Sequence, residues 1–309
     1  VNVVEVEVPF MKASEDMDFR DWQKIARVAA KLLNNPEIHG VIITHGTDTL
    51  HYTAAALSFF LHGLHKPIVL TYSQRSSDRA SSDSSLNLEA SALAAISDIA
   101  EVMVVGHATT DDNYCYALTG TKVRKLHSSR RDAFKPVNAK PIAKIYPDRV
   151  ELISSHNARD DKKKAKLDLK FEEKVALVKV YPGQNPNILE YYMKKKYRGI
   201  IIEATGLGHV PALDSRNSWL PVLKKLITKG IFVWITTQCI YGRVDPYVYS
   251  NLRALNKTGA VFLEDILAET ALVKLGWVLG HKEWAKNKEE VRKKMIENIS
   301  GEFSDRLEE

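Results

Sequence analysis

Hydrophobic and polar residues follow two different periods along this chain, and the two periods alternate. Short runs rich in Val, Ile and Leu, such as residues 40–44 and 66–72, predict buried strands. Later apolar residues spaced three and four apart predict helices, for example over residues 48–62 and about 86–96. Because strand and helix alternate on short connections, we predict that residues 1–110 form a doubly wound, mostly parallel sheet.

The chain opens on an alternating pattern, Val-Asn-Val-Val-Glu-Val-Glu-Val, which predicts a strand over residues 1–9 that ends at Pro9. A helix is expected to follow and to run to about Asn34. Proteins seldom begin inside an element that needs a neighbour, and the first residue is Val1 rather than Met. We therefore expect a sequence that has been cut, processed or trimmed at its N-terminus.

The alternation pauses after the first sheet and then starts again. Residues 107–138 are expected to be mostly irregular, with a basic polar stretch at 121–131, and a strand pair is expected near 142–153. From Phe171 onwards strands and helices alternate once more, which predicts a second, smaller α/β domain. Its expected strands are 175–181, 199–203 and 231–236, and its expected helices are 187–197, 216–228, 264–280 and 285–297.

The predicted fold is α/β, with two domains. A length of 309 residues exceeds the usual size of a single domain, which agrees with this division. The charged segment 159–166 is expected to be a solvated linker or a hairpin tip. We place the first domain at residues 1–158, a linker at 159–170 and the second domain at 171–309.

Composition restricts the class of protein. Apolar residues make up 45% of the chain, and no apolar run approaches the roughly 18–20 residues that span a membrane, so we expect no membrane partner. The net charge of +6 is spread among interspersed acidic and basic residues, so it is compatible with an RNA partner without indicating one. Cys115 and Cys239 form no disulfide framework, which favours a reducing cytoplasm, and no signal peptide is seen.

The most distinctive stretch is Thr-His-Gly-Thr-Asp-Thr at residues 44–49, between a predicted strand and a predicted helix. We expect Gly46 to permit a sharp reversal, and Thr47, Asp48 and Thr49 to fall at the helix cap and in its first turn. Free backbone N–H groups and the positive end of the helix dipole collect there, and they stabilise developing negative charge. Helix capping alone is the competing interpretation.

Other polar segments also have both a structural and a functional interpretation. Residues 14–18, Ser-Glu-Asp-Met-Asp, are expected either to cap the following helix or to offer a hydroxyl and a carboxylate to a ligand. The loop 73–83 follows the carboxyl end of a strand, where open α/β sheets bind ligands, although a flexible surface loop is the alternative. Gly206-x-Gly208 is too short a pattern for a nucleotide site and predicts a packed turn.

The motif at residues 44–49 resembles the second signature of the bacterial-type L-asparaginase family. Further matching segments lie in the family's order, and together they cover nearly the whole chain. They are Ser14-Glu-Asp-Met17, Lys66-Pro-Ile-Val-Leu-Thr-Tyr-Ser-Gln-Arg75, Ser82-Asp83 with Asn87-Leu88, and Lys125 placed nine residues before Phe134-Lys-x-Val-Asn138. The resemblance implies an asparaginase-like fold with two domains.

Within that family the details are similar to the branch formed by the D subunits of archaeal glutamyl-tRNA(Gln) amidotransferases. Free asparaginases usually carry an Ala-Met-Arg-Pro-type run where this chain has Ser73-Gln-Arg-Ser76. The segments that carry the closer resemblance are Gln74-Arg-Ser-Ser-Asp-Arg79, Cys115-Tyr-Ala-Leu-Thr-Gly-Thr-Lys122, His127-Ser-Ser-Arg-Arg-Asp-Ala-Phe-Lys135 and Glu269-Thr-Ala-Leu-Val-Lys-Leu275.

Asparaginase-like enzymes hydrolyse a side-chain amide through an acyl-enzyme that forms on a threonine. The resemblance assigns Thr47 as the second catalytic threonine, with Lys125 and Asp48 as its partners. This fits the residue types, because a hydroxyl needs a neighbouring base to become a nucleophile or to activate water. A lysine amine in a partly dehydrated pocket can serve as that base.

The same resemblance assigns substrate-binding residues. Ser14 would hold the α-carboxylate of the substrate, and Asp48 would both orient Lys125 and meet the α-ammonium group. Glu15 would assist with the ammonium group, where free asparaginases often have Gln. Ser73 falls where a backbone group helps to polarise the scissile amide. The resemblance implies no metal site and no cofactor in this chain.

One departure from the family pattern is large. The family's first catalytic threonine lies in a Thr-Gly-Gly-Thr segment near the N-terminus, and no such segment occurs in this sequence. Thr119 and Thr205 each precede a glycine, but they lie in the wrong places. We therefore expect the chain to lack its N-terminal part, and these 309 residues alone to be inactive or very weakly active.

Resemblance to that branch implies glutamine as the amide donor. It also implies a partner, the E subunit of the amidotransferase, which activates Glu-tRNA(Gln) with ATP and accepts the ammonia. ATP and Mg are expected on that partner, and tRNA(Gln) would be reached through the complex, with this chain as a homodimer inside it. Two alternatives stay open. The chain could be a free L-asparaginase that needs no partner, or a non-catalytic truncated scaffold that has lost the nucleophile.

Overall fold

The computed structural model describes residues 1–308, and these divide into two compact units. Unit 1 contains residues 1–169 together with Glu308, and unit 2 contains residues 170–307. Each unit has its own sheet, helices and buried apolar core. The α/β class and the two-unit organisation therefore follow directly from the arrangement of the elements.

Unit 1 carries most of the polar motifs found in the sequence. Its helices are α1 (Phe19–Leu33), α2 (Leu50–Phe60) and α3 (Ser84–Ala95). Its strands are β1 (Val41–Thr44), β2 (Leu61–His62), β3 (Ile68–Thr71), β4 (Val102–His107), β5 (Cys115–Thr119), β6 (Val123–Lys125), β7 (Phe134–Pro136), β8 (Ala143–Ile145), β9 (Val150–Leu152) and β10 (Lys166–Leu167).

The main sheet of unit 1 is mixed: the parallel arrangement predicted for residues 1–110 is confirmed, and strands after residue 110 extend the sheet in antiparallel fashion. Its strand order is β1-β3-β4-β5-β8-β9. Strands β1, β3 and β4 run parallel, and β5, β8 and β9 continue the sheet as antiparallel neighbours. The first three strands are joined by helices, as parallel crossovers require, whereas β4–β5 and β8–β9 are joined by short loops and β5–β8 by a longer segment without a helix.

Residues 107–138 are mostly irregular, as predicted, but they also contain three short strands that the sequence did not indicate. Strand β5 joins the main sheet, while β6 and β7 pair with each other as a separate antiparallel ribbon, the β6–β7 hairpin. Its strands are only three residues long, which is too short for an alternating pattern to be seen. This hairpin carries Lys125.

The expected strand over residues 1–9 is absent, because no element of the described chain pairs with this segment. Its valines are exposed, for example Val3 at 81%. Lys31 of α1 forms ion pairs with Glu5 and Glu7 on the same segment. A segment with an alternating pattern forms a strand only where a neighbouring strand supplies hydrogen bonds to its backbone. The alternation itself does not show whether such a neighbour exists.

Helix α2 lies inside unit 1 and anchors the motif that precedes it. Most of its residues have no exposed surface, including Leu50, Ala54, Leu57 and Phe60. A helix that is apolar on every side is typical of a buried position, and it packs against β4 and α1. The start of α2 is therefore a fixed point of the structure.

Unit 2 is a parallel α/β layer structure. Its sheet has the order β11-β12-β13-β14, and every neighbouring pair is parallel. The elements are β11 (Val175–Lys179), α4 (Ile188–Lys194), β12 (Gly199–Ala204), α5 (Leu220–Thr228), β13 (Phe232–Thr237), α6 (Ser250–Asn256), β14 (Val261–Phe262), α7 (Ala268–Gly280), α8 (Lys282–Ala285) and α9 (Lys288–Ile296).

The turn at Thr205–His209 is closed by a β-bridge, and a side chain on Gly208 would collide with Phe262. Gly206 and Gly208 therefore belong to a packed turn, as predicted.

Candidate active site

The loop between β1 and α2 places Thr47 and Asp48 outside the helix. Strand β1 ends at Thr44, and the N-cap of α2 is Thr49. The prediction that Thr47 and Asp48 lie in the first helical turn is therefore wrong. The capping interpretation also fails, because the Thr49 side chain makes no cap hydrogen bond and instead donates to the backbone oxygen of Ser14 at 2.6 Å.

The side chains of Thr47 and Asp48 on this loop meet that of Lys125, which lies far along the chain. The Lys125 Nζ atom lies 2.9 Å from Thr47 Oγ1 and 2.8 Å from Asp48 Oδ1, and it donates a hydrogen bond to each. The Lys125 side chain is only 11% exposed, whereas that of Asp48 is 59% exposed. The amine therefore lies in a partly dehydrated place, beside a carboxylate that remains open to solvent.

Ser14 ties a second segment of chain to the same loop. It lies in a short 3-10 turn, Ser14–Asp16, and its Oγ accepts a hydrogen bond from the backbone N–H of Asp48 at 3.2 Å. Ser14 is buried, at 2% exposed, while Glu15 on the same turn is exposed. Ser14 therefore contributes to the shape of the loop, and its own hydroxyl proton is not used in that hydrogen bond.

The helix cap expected within residues 14–18 is Asp18 and not Ser14. The Asp18 carboxylate accepts from the backbone N–H of Arg20 at 2.7 Å, and the Asp21 carboxylate accepts from the backbone N–H of Asp18 at 3.2 Å. This reciprocal arrangement is a capping box. The cap of α1 is therefore formed by Asp18 and Asp21 and does not involve Ser14 or Glu15.

Gly46 is required at its position for a reason other than a sharp reversal. A Cβ atom added to Gly46 would lie 2.8 Å from Ser14 Oγ and 2.9 Å from Ser14 Cβ. The two backbones can approach this closely only because Gly46 has no side chain. The glycine therefore brings the Ser14 turn against the Thr47 loop.

Ser73 is held by residues other than Thr47, Asp48 and Lys125. Its hydroxyl contacts the backbone oxygen of Arg75 and the Asp83 carboxylate, the latter at 3.0 Å. Within residues 1–308, no hydrogen bond joins Ser73 to Thr47, Asp48 or Lys125.

The start of the predicted ligand loop is held firmly. Asp83 is fully buried at the N-terminus of α3 and accepts hydrogen bonds from the backbone N–H groups of Gln74 and Arg75 at 3.0–3.1 Å. The short segment Ser73 to Arg75, which we call the 73–75 loop, is therefore anchored to α3. A freely flexible surface loop is not what the structure shows at this end of residues 73–83.

Two histidines beside the cluster were not singled out from the sequence. His45 donates from Nδ1 to the backbone oxygen of Gly46 at 2.6 Å, and its Nε2 accepts from Thr53 at 2.8 Å. Burial lowers the pKa of His45. Burial also lowers the pKa of His51 to about 4, helped by the positive charges of Arg124 and Lys125. Both rings are therefore neutral near pH 7, and the position of His45 within residues 44–49 was the available clue.

The cluster suits proton transfer at a hydroxyl group. An amine in contact with a threonine hydroxyl, and held by a carboxylate, is an arrangement that activates a nucleophile or a water molecule. Residues 1–308 contain no group of three or more His, Cys, Asp or Glu side chains placed to hold a metal ion. None of the described helices is both long and apolar enough to cross a membrane.

Two protein-family models match this chain. The model described as Asparaginase, N-terminal, matches residues 1–158, and the model described as Glutaminase/Asparaginase C-terminal domain matches residues 174–295. The first match alone covers half of the chain and includes the cluster around Thr47.

Curated relatives extend the match over nearly the whole chain. The chain is 51% identical to the glutamyl-tRNA(Gln) amidotransferase D subunit from Thermococcus kodakarensis, over 94% of this chain and 64% of that protein. It is 51% identical to the protein of the same name from Pyrococcus abyssi, over 94% of this chain and 65% of that protein. The chain thus spans just under two-thirds of the length of these relatives.

Two solved structures of L-asparaginases have a similar fold. The thermostable L-asparaginase from Thermococcus kodakarensis superposes with a TM-score of 0.85 at 30% identity, over 94% of this chain and 83% of that one. L-asparaginase I from Vibrio cholerae superposes with a TM-score of 0.81 at 29% identity, over 95% of this chain and 84% of that one.

Proposed function

Because the chain belongs to the asparaginase/glutaminase family, we propose that it forms the amide-hydrolysing site of a glutaminase subunit. The observation that carries the proposal is the contact of Lys125 Nζ with both Thr47 Oγ1 and Asp48 Oδ1, at 2.9 and 2.8 Å. Glutamine is the proposed substrate, since the curated relatives are named as subunits of a glutamyl-tRNA(Gln) amidotransferase.

In the proposed mechanism Lys125 moves the proton, and the reacting oxygen is that of Thr47 or of a water molecule held by it. The neutral amine of Lys125 takes the proton from Thr47 Oγ or from a water molecule held by it, and the freed oxygen attacks a carbonyl carbon. The carbon–nitrogen bond of the amide breaks as the proton passes to the departing ammonia. Where Thr47 is the attacking group, a water molecule then hydrolyses the ester left on it, which releases glutamate and restores the hydroxyl. Asp48 keeps the amine aligned with the hydroxyl through the 2.8 Å contact.

The charge of the bound substrate would act on the contact between Asp48 and Lys125. The exposed Asp48 carboxylate is the proposed partner of the substrate's α-ammonium group, assisted by Glu15. Once a second cation pairs with Asp48, the hold of this carboxylate on the Lys125 ammonium weakens, and the two cations repel each other. Substrate binding would thus change the charges that surround the Lys125 side chain.

The remaining assignments follow the resemblance. Ser14 is the proposed ligand of the α-carboxylate, and it retains a hydroxyl proton to donate. The backbone at Ser73 is proposed to polarise the scissile amide. Because the sequence contains no Thr-Gly-Gly-Thr segment, we propose that these 309 residues alone hydrolyse glutamine very weakly or not at all.

The proposed setting is a complex that delivers ammonia to a second site. The amidotransferase E subunit is the proposed partner and would hold ATP and Mg, with tRNA(Gln) bound through the complex in the cytoplasm. We propose that this chain enters the complex as a homodimer, giving a heterotetramer. Hydrolysis would be coupled to the partner's site by the free energy of their association.

The test compares hydrolysis of glutamine and asparagine by the complete gene product, with and without the E subunit. We expect Lys125→Met and Thr47→Val to lower kcat for glutamine by roughly 100-fold or more. Lys140→Met and Thr44→Val are matched controls, since Lys140 pairs with Glu308 and Thr44 ends β1 outside the cluster.

Three results would each contradict a part of the proposal. Equal loss of activity in the control variants would show that the effect is not specific to the cluster. Faster turnover of asparagine than of glutamine, unaffected by the E subunit, would instead favour a free L-asparaginase. Strong glutaminase activity from the 309-residue chain alone would contradict the expected inactivity.

A further inference from the structure

A buried asparagine connects the 73–75 loop to the interior of unit 1. Asn87 on α3 is fully buried, and its Nδ2 donates to the backbone oxygen of Tyr72 at 3.0 Å and to Asp83 at 3.2 Å. Both partners are acceptors only, so the amide nitrogen must face them. The amide oxygen of Asn87 therefore faces the opposite side, where it lies 2.6 Å from Nδ1 of His107.

His107, at the end of β4, has an acceptor at each ring nitrogen. Its Nδ1 must carry a proton, because it faces the amide oxygen of Asn87. Its Nε2 lies 2.9 Å from the carboxylate of Asp112, and the same carboxylate accepts a hydrogen bond from the Arg131 guanidinium at 2.6 Å. An ionised carboxylate only accepts, so Nε2 carries a proton as well. The geometry is that of an imidazolium ring, although the side chain has no exposed surface.

Two carboxylates are linked to this ring by hydrogen bonds. Asp112 contacts Nε2 directly and also pairs with Arg131, whereas Asp83 is reached through Asn87. The hydrogen bond from His107, followed by the guanidinium of Arg131, lowers the pKa of Asp112. Burial raises the pKa of the neighbouring Cys115 thiol to about 12, so that group adds no charge.

The same chain of contacts reaches the β6–β7 hairpin that carries Lys125. Arg131 lies in the loop of this hairpin, and its backbone oxygen accepts a hydrogen bond from the Tyr72 hydroxyl at 3.2 Å. Tyr72 also packs on Phe134, which is the β-sheet partner of Lys125. The segment before Ser73 and the segment after Lys125 are thus joined both directly and through His107.

We propose that His107 is a positioning residue for the amide hydrolysis: as an imidazolium bridging Asn87 and Asp112, it fixes the 73–75 loop relative to the β6–β7 hairpin. This inference rests on the proposed function for its catalytic consequence, while the bridge itself stands on the geometry alone. His107 acts through Asn87 and Asp83 on one side, and through Asp112 and Arg131 on the other. It touches neither Thr47 nor Lys125.

The test needs a variant that changes the bridge without emptying the core. Asp112→Asn is suitable, because the Asp112 side chain is 66% exposed and the amide keeps its shape. In this variant Nε2 no longer faces an obligate acceptor, so the ring can become neutral. Asp111→Asn is the matched control, as Asp111 is the exposed neighbour and makes no contact with His107.

The first measurement does not depend on activity. Long-range proton–nitrogen NMR at neutral pH is expected to show protons on both ring nitrogens of His107 in the wild type and the control. In Asp112→Asn the Nε2 proton is expected to be lost. Backbone amide signals are expected to shift in both the 73–75 loop and the β6–β7 hairpin. A singly protonated ring in the wild type, or shifts confined to one segment, would overturn the proposal.

The second measurement is made on the preparation that hydrolyses glutamine. His107→Phe is expected to lower kcat by roughly 10- to 100-fold with KM changing less than about threefold, because the scissile amide is misaligned while the substrate's α groups are still held. Asp112→Asn is expected to lower kcat by less than His107→Phe does. His107→Gln keeps one hydrogen-bond donor and is expected to have a kcat between those of His107→Phe and the wild type.

The outcomes separate this inference from the proposed function. If the wild type hydrolyses no glutamine, the proposed function fails, and the NMR measurement alone decides whether His107 bridges Asn87 and Asp112. If the wild type is active and a folded His107→Phe protein keeps its kcat, the positioning role fails while the proposed function stands. If His107→Phe does not fold, the kcat of Asp112→Asn relative to Asp111→Asn decides.

Discussion

At the scale of single residues, the site depends on an absent side chain at position 46. The Ser14 turn and the Thr47 loop approach so closely that a Cβ atom at Gly46 would lie 2.9 Å from Ser14 Cβ. Ser14 Cβ is attached directly to the backbone, so it cannot rotate away. The whole turn would have to move, and with it the hydrogen bond to Asp48.

Gly46→Ala is therefore expected to destabilise the protein by about 1–3 kcal/mol and to reduce amide hydrolysis. The free energy of unfolding in urea measures the first effect. Ser14→Gly removes the colliding atoms, so the double variant should be more stable than the sum of the two single effects predicts. Strict additivity in this cycle would show that the predicted collision does not occur.

The second residue-scale prediction concerns His51 and pH. Burial lowers its pKa from 6.5 to about 4 in the folded protein, so the unfolded chain takes up the proton first as the pH falls. The contribution of His51 to the free energy of unfolding is fully present above about pH 6.5 and is lost as the pH falls to about 4. Its upper bound is about 3 kcal/mol. His51→Gln should reduce this pH dependence of the unfolding free energy.

The control for His51 is His39→Gln, which changes an exposed histidine of the same unit. Unfolding curves at several pH values would give the slope for each variant. An unchanged slope in His51→Gln, or the same reduction in both variants, would contradict the prediction.

At the scale of elements, short pieces of backbone position the reacting groups. The three-residue strand β6 carries Lys125 and is held in register by β7, with Lys125 opposite Phe134. The buried helix α2 fixes the other end, because the Thr47 loop leads into it. The cluster is thus formed between a small hairpin and a rigid helix start.

Helix α1 offers a test of local stability at this scale. Asp18→Ala removes the capping hydrogen bond to Arg20 and is expected to cost about 1 kcal/mol of unfolding free energy. Asp16→Ala, on the preceding 3-10 turn, should change stability little, since Asp16 is exposed and makes no side-chain cap contact. Equal losses in both variants, measured by urea unfolding, would refute the assignment of the cap to Asp18.

At the scale of the whole molecule, the family resemblance inferred from the motifs is confirmed. Both family models match, and the curated relatives named as amidotransferase D subunits are about half identical over almost all of this chain. The α/β asparaginase-like fold is confirmed by the superposed L-asparaginase structures. Roles of the individual site residues remain the proposals given above.

The division into two units leads to a prediction about proteolysis. Lys162, Lys163 and Lys164 are exposed and lie just before the boundary at residue 169. Exposed loops with few packing contacts are the preferred sites of cleavage, so trypsin should make its first internal cut there. Mass spectrometry of the early fragments would locate it, and replacing the three lysines by Gln should delay it. A first internal cut elsewhere would contradict this prediction.

The sequence by itself determined the local features, which depend on nearby residues. The strands β1, β3 and β4 and the helices between them could be predicted, because their apolar spacing is visible locally. The motif at residues 44–49 could also be identified from the sequence. The packed turn at Gly206-x-Gly208 was predicted for the same reason. The strand over residues 1–9 failed because a strand also needs a partner.

Only the tertiary structure decided what depends on residues far apart in the chain. Lys125 reaches Thr47 across 78 positions, and the need for Gly46 arises from Ser14, not from the local turn. The bridge through His107 likewise joins α3, β4 and the β6–β7 hairpin. Periodicity records which face of an element is buried but not which element covers it, so these contacts could not be read from spacing.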